Sequence, residues 1–156
     1  MGKSVLGVLL GLLAAALAWI LRGGKPGLDR ARIHKRYITL RVKKGVCAIE
    51  RPPDDVVLRQ GAGDQVHWII TNPESEIGTP CHRSVQVCVG RWTLNGEGTE
   101  PPVDDRDNGQ YCRTVKPGQT KRLPAQAKSR APLGDYHYEI EIDGQVAVDP
   151  IVRLVL

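Results

Sequence analysis

From Tyr37 to its last residue the chain is written in a period of two. Tyr37-Ile-Thr-Leu-Arg-Val-Lys alternates bulky and polar side chains, and Asp135-Tyr-His-Tyr-Glu-Ile-Glu-Ile puts Tyr136, Tyr138, Ile140 and Ile142 on one face. Such alternation suits a half-buried strand and no amphipathic helix. Further short strands are expected at Val56-Val-Leu-Arg-Gln, Gln65-Val-His-Trp-Ile-Ile-Thr, Ser84-Val-Gln-Val-Cys-Val, Tyr111–Val115, Thr120–Leu123 and Ile151–Leu156. Asn72-Pro73 ends one of them, since proline donates nothing to a ladder. Asn95-Gly96, Asn108-Gly109 and Asp143-Gly144 are hairpin-type turn signals. About eight short strands with turns between them predict an all-β sandwich or barrel. With no Phe in the chain, the expected aromatic core is Trp68, Trp92 and the four Tyr.

The first residues follow another pattern. Val5 to Leu21 carries no charge and spans about 25 Å as a helix. That is at the short limit for crossing a bilayer. A cleaved secretory signal would use Lys3, the run Val5–Leu13 and the A-x-A-like Ala16-Leu17-Ala18. An uncleaved anchor would continue through Trp19-Ile20-Leu21, with Trp19 at the interface. We favour the anchor, because Trp19-Ile20-Leu21 is an odd mature N-terminus and Arg22-Gly-Gly-Lys-Pro-Gly reads as a flexible exit. Gly7 and Gly11 give a G-x-x-x-G spacing that permits close helix approach, although small residues are common in such segments. The expected organisation is residues 1–22 as anchor or signal, 23–36 as a basic linker, and 37–156 as the domain.

Charge is distributed just as unevenly. Residues 22–44 hold nine Lys/Arg against Asp29 alone, whereas residues 45–156 hold twelve Lys/Arg against sixteen Asp/Glu. A nucleic-acid protein carries its positive charge on the domain and interleaves aromatics; this chain does neither, so no nucleic-acid partner is expected. Counting positive charges on either side of residues 5–21 places the domain in the cytoplasm. The cysteines and the domain type favour the periplasmic or extracellular side, and we expect that side. The basic stretch then lies against anionic head groups or serves as a solvated linker.

Val56-Val-Leu-Arg-Gln-Gly, then Gly63-Asp64-Gln-Val-His-Trp-Ile-Ile-Thr-Asn72, resembles the early strands of cupredoxin-like domains. Lys116-Pro-Gly-Gln-Thr, Gly134-Asp-Tyr-His-Tyr-Glu-Ile-Glu-Ile-Asp-Gly and Asp149-Pro150-Ile-Val resemble that family's closing hairpin. The resemblance covers roughly residues 37–156 and implies a cupredoxin-like Greek-key β-sandwich, here preceded by one N-terminal apolar helix. Copper-binding members hold the metal with His, Cys, His and usually Met, a soft thiolate with two imidazoles and a weak axial ligand. Pro80-Cys81-His82-Arg83-Ser84-Val85 resembles the segment with the first His, at His82. The family's Cys position falls on Ile140, and from Tyr138 to Leu156 the chain has no Cys, His or Met. The resemblance therefore implies a copper-free domain used for binding and assembly, with no cofactor.

The four cysteines, Cys47, Cys81, Cys88 and Cys112, form no C-x-x-C and admit three pairings. Of these we favour Cys88–Cys112, both in expected strands, with Cys47–Cys81 tying the first loop. The competing reading is a copper or zinc site from Cys81, His82, Cys88 and Cys112, a spacing that matches no standard ligand pattern. Alternation turns His67 away from Trp68 toward solvent, and turns His137 away from Tyr136 and Tyr138; His34 falls in the linker. Asp104-Asp105-Arg106-Asp107-Asn108-Gly109 fails as a calcium loop, since Gly109 at the sixth position puts Arg106 third and Val115 twelfth. No nucleophile-and-base motif or phosphate-cradling loop occurs, so no enzymatic activity is expected. The expected role is non-catalytic binding to a cell-envelope protein, through the loops Asn72–Cys81 and Trp92–Gln110, with Trp92 either an exposed anchor there or a member of the aromatic core.

Overall fold

The structure is a computed structural model that describes residues 30–74, 76–104 and 111–156. The expected anchor at residues 5–21, the turn Asn108-Gly109 and most of the Asp104–Gly109 loop lie outside those residues. Among the described residues no helix is long and apolar enough to cross a membrane. They fold into eleven strands in two sheets: β1 Ile33–Lys43, β2 Val46–Ile49, β3 Val56–Arg59, β4 Gln65–Asn72, β5 Val85–Leu94, β6 Glu97–Gly98, β7 Tyr111–Val115, β8 Gln119–Gln126, β9 Gly134–Ile142, β10 Gln145–Val148 and β11 Ile151–Val155.

The first sheet runs β2-β1-β4-β8, and the second runs β3-β11-β9-β5-β6 with β10 beside β9 and β7 beside β5. The chain is all-β, as alternation predicts. Three strands, β2, β6 and β10, were not expected, and two pairings, β1 with β4 and β3 with β11, are parallel. The hairpins Lys44-Gly45, Asn95-Gly96 and Asp143-Gly144 have positive φ at both loop residues (50 and 76°, 55 and 82°, 48 and 81°). This is the turn whose twist matches two antiparallel strands, and glycine takes its second position without a Cβ penalty.

β1 begins at Ile33, so His34, Lys35 and Arg36 belong to the sheet rather than to the linker. The buried carboxylate of Asp64 fixes this start. It accepts bonds from the Arg32 amide at 2.8 Å, the Arg59 amide at 3.0 Å and the Arg59 guanidinium at 3.0 and 3.1 Å. Burial alone would raise the Asp64 pKa, but the Arg59 side chain and these amides outweigh it and hold the carboxyl well below the usual carboxylate range.

Between the sheets, Ile38 and Leu40 of β1, Val66, Trp68 and Ile70 of β4, Tyr136, Tyr138 and Ile140 of β9, and Leu123 of β8 are fully buried. The Trp68 indole donates to the Tyr138 hydroxyl at 3.0 Å. Burial pushes the Tyr138 phenol up to about 12, with the Trp68 bond opposing. Tyr37 was expected in this core but lies on the outer face of β1, 62% exposed.

Two further expectations are corrected. Trp92 is no exposed anchor: it is 4% exposed and stacks on Tyr138 with ring centroids 4.8 Å apart. The reason is a bulge. Gly90 pairs with Glu139 and Thr93 with His137, so β5 gains one residue on β9, and Arg91 takes φ 48°. The extra residue shifts the alternation by one, sending Arg91 to solvent and Trp92 inward. His67 does face away from Trp68, but it is buried too. Lys35 on one side and Pro124 on the other stand in register with it, and its Nε2 lies 2.9 Å from the Gln65 side-chain oxygen. Burial, then Arg122 and Lys35, lower its pKa. His137 is part-exposed, 3.5 Å from an Asp149 carboxylate oxygen.

Candidate interaction site at the 73–84 loop

The loop after β4 is long, and its base is held from three directions. Asn72, fully buried at the end of β4, donates through Nδ2 to the carbonyls of Cys81 at 3.1 Å and of Arg83 and Val115 at 3.3 Å. Cys81 is bonded to Cys47 on β2 with Cα atoms 5.1 Å apart. Arg83 pairs with Asp143 at 2.9 Å, and the same carboxylate accepts the Gln86 amide at 2.8 Å. Within the loop, the Thr79 hydroxyl donates to the Glu76 carbonyl at 2.9 Å and the His82 amide to that of Thr79 at 2.9 Å. The ends of β2, β4, β9 and β10 thus converge under the described part of this loop. Ile77 stands on it, 88% exposed.

Beside this loop lies a cavity of about 400 Å³ lined by Val46, Cys47, Pro80, Arg83, Ile142 and Asp143. It shares Val46, Cys47, Ile142 and Gln145 with a groove of about 350 Å³ that continues along the seam between β2 and β10. Val46 and Val146 at its lips are 58% and 52% exposed. Among the described residues β2 pairs only with β1, and β10 only with β9. Each therefore offers an unpaired backbone edge to the groove. An open edge beside such a groove can take an extended segment as an added strand.

The residues singled out from sequence are placed as follows. Both favoured disulfides are present, Cys47–Cys81 and Cys88–Cys112, the second joining residues directly opposite on β5 and β7. The candidate set Cys81, His82, Cys88 and Cys112 is not assembled: its cysteines are bonded in two separate bridges and supply no thiolate ligand. No group of three or more metal-ligating side chains occurs among the described residues. Ile140, at the family's Cys position, is a fully buried core residue, and β9 turns directly into β10 through Asp143-Gly144. Of the two expected contact loops, the first is the loop just described. The second begins as a hairpin: β5 continues to Leu94 and pairs with β6 at Glu97–Gly98. The β2–β10 groove was not foreseen. Its only sequence signals were Val46 and Val146, each directly after or near a two-residue glycine turn.

No protein-family model and no curated protein matches the chain. Among solved structures it is similar to Fet3p, a multicopper oxidase that functions in iron import. That likeness has 14% identity and a TM-score of 0.43, over 81% of this chain and 23% of that one. It is also similar to a chain of a heme-copper terminal oxidase dimer, with 12% identity and a TM-score of 0.36 over 97% of each chain.

Proposed function

We propose that the chain is a cupredoxin-like, copper-free domain tethered by residues 5–21 to the extracytoplasmic side of a membrane, where it binds a protein of the cell envelope without catalysing a reaction. The observation that carries this reading is the β2–β10 groove. Two unpaired edges, with the exposed side chains of Val46 and Val146 at the lips and Ile77 on the neighbouring loop, lie at one end of the sandwich. The partner is one that can present an extended apolar segment. Ile140 and the two-residue turn after it support a copper-free domain, since the thiolate ligand of the family has no counterpart. The two disulfides support an oxidising compartment.

The test is co-purification of the full chain from its native membranes. Wild type is expected to retain an envelope protein that Val46→Asp and Val146→Asp lose, with unchanged thermal melting because both side chains are half exposed. A wild-type chain that retains no envelope protein, or variants that keep it, would sink the reading.

A further inference from the structure

The two sheets differ sharply in charge. The strands of the first, β1, β2, β4 and β8, carry six Lys/Arg and no Asp or Glu. Those of the second carry four of each: Arg59, Arg91, Arg113 and Arg153 against Glu97, Asp135, Glu139 and Glu141. On the outer face of the first sheet, Lys35, Tyr37 and Arg41 alternate along β1, and Arg122 of β8 shares the row of Tyr37 across Ile69. Two apolar side chains stand out of this face on β1, Tyr37 at 62% and Ile33 at 57% exposed. The nearby carboxylate is that of Glu50, 3.1 Å from Arg41.

We infer that this face lies on an anionic lipid surface, with Tyr37 and Ile33 at head-group level and Lys35, Arg41 and Arg122 against the phosphates and carboxylates. Basic side chains around exposed apolar and aromatic ones are the chemistry of an interfacial surface. The inference rests on the anchor reading for residues 5–21, and the chain length agrees with it. Residues 22–29, ahead of the backbone bonded to the domain at Arg30 and Arg32, reach at most about 29 Å when extended, and Ile33 to Arg41 spans about 26 Å of strand. The tether therefore enters at the Ile33 end and is long enough for the strand to lie flat. The opposite face, with its balanced charge, then points away from the bilayer.

The experiment is amine acylation of the full chain in vesicles of phosphatidylcholine, with and without one-third phosphatidylserine, read by mass spectrometry at Lys35 and, as reference, at Lys128. Lys35 is expected to react about threefold less in the anionic vesicles, the protection vanishing in high salt and in Arg122→Glu, while Lys128 is unchanged. The salt arm uses wild type, so it stands even if Arg122→Glu folds poorly. Flotation with both vesicle types and equal Lys35 labelling overturns the inference and leaves the anchor standing. Failure to float with either overturns both. Protection in native membranes but not in vesicles assigns the face to an acidic protein instead and overturns it as well.

Discussion

Trp92 and Ile77 have opposite environments, and the contrast can be measured. Trp92 fills the centre of the sandwich, tilted against Trp68 at 6.4 Å and stacked on Tyr138. Truncating such a side chain removes its transfer free energy and leaves a cavity, so Trp92→Ala is expected to cost about 3–5 kcal/mol in urea unfolding. Ile77 touches mostly solvent, and Ile77→Ser should stay within about 0.5 kcal/mol. A Trp92→Ala variant as stable as wild type would contradict the bulge that turns the ring inward. His67 makes a second residue-scale prediction. Burial, Arg122 and Lys35 lower its folded-state pKa, and burial, against the pull of Asp64, lowers that of His34. As pH falls below the ordinary histidine value of about 6.5, the unfolded chain takes up protons first. Stability present at neutral pH is therefore lost on acidification, until the folded-state values are passed. The urea midpoint is expected to drop between pH 7 and pH 5, and His67→Gln, which removes one titrating group, should flatten the drop. An unaltered slope would remove His67 from the account.

At the scale of elements, the two disulfides divide the work. Cys88–Cys112 joins neighbours already held by the β5–β7 ladder. Cys47–Cys81 joins β2 to the 73–84 loop across a separation of 34 residues, and loop-closure entropy assigns such a bridge about 3–4 kcal/mol. The double variant Cys47→Ser, Cys81→Ser should lose about that much, and amide exchange should accelerate at Thr79 and His82 but not at Gln86 or Thr114. Uniform acceleration would mean that the bridge holds the whole sandwich rather than the loop. The sequence alone leaves three pairings open; the observed pair is the one favoured because Cys88 and Cys112 both fall in expected strands. The long alternating runs were legible: β1, β4 and β9 each write one face in their spacing. What escaped was whatever depends on a neighbour. His67 is buried on a face where Lys35 and Pro124 are its neighbours, which the register and not the spacing puts beside it. Trp92 is turned by one inserted residue whose signal is an arginine at positive φ. β2 and β10 have four residues each, too few for a period to declare itself, and the groove between them exists only once both sheets are assembled.

For the molecule as a whole, one question links tether, cysteines and charge. The stretch of nine Lys/Arg following Leu21, read as a topology signal, holds the domain in the cytoplasm. The disulfides require an oxidising environment. The sheet charges bear on this, because four of those nine, Lys35, Arg36, Arg41 and Lys43, belong to strand β1 of a folded sheet rather than to a bare flank of the apolar segment. A folded, disulfide-bonded domain whose basic face has a place to lie outside the cell need not obey a rule counted over short loops. The intact mass of the chain from its native host decides the matter, with thiols alkylated before and after reduction. We expect a mass that retains residues 1–18, with no thiol alkylated before reduction and Cys47, Cys81, Cys88 and Cys112 alkylated afterwards. Loss of residues 1–18 with the same thiol pattern would keep export and remove the anchor, and the membrane-facing role of β1 with it. Four free thiols in the native chain would place the domain on the reducing side, where the charge count puts it. The loop, freed from β2, would then no longer be the rigid floor on which the proposed partner docks.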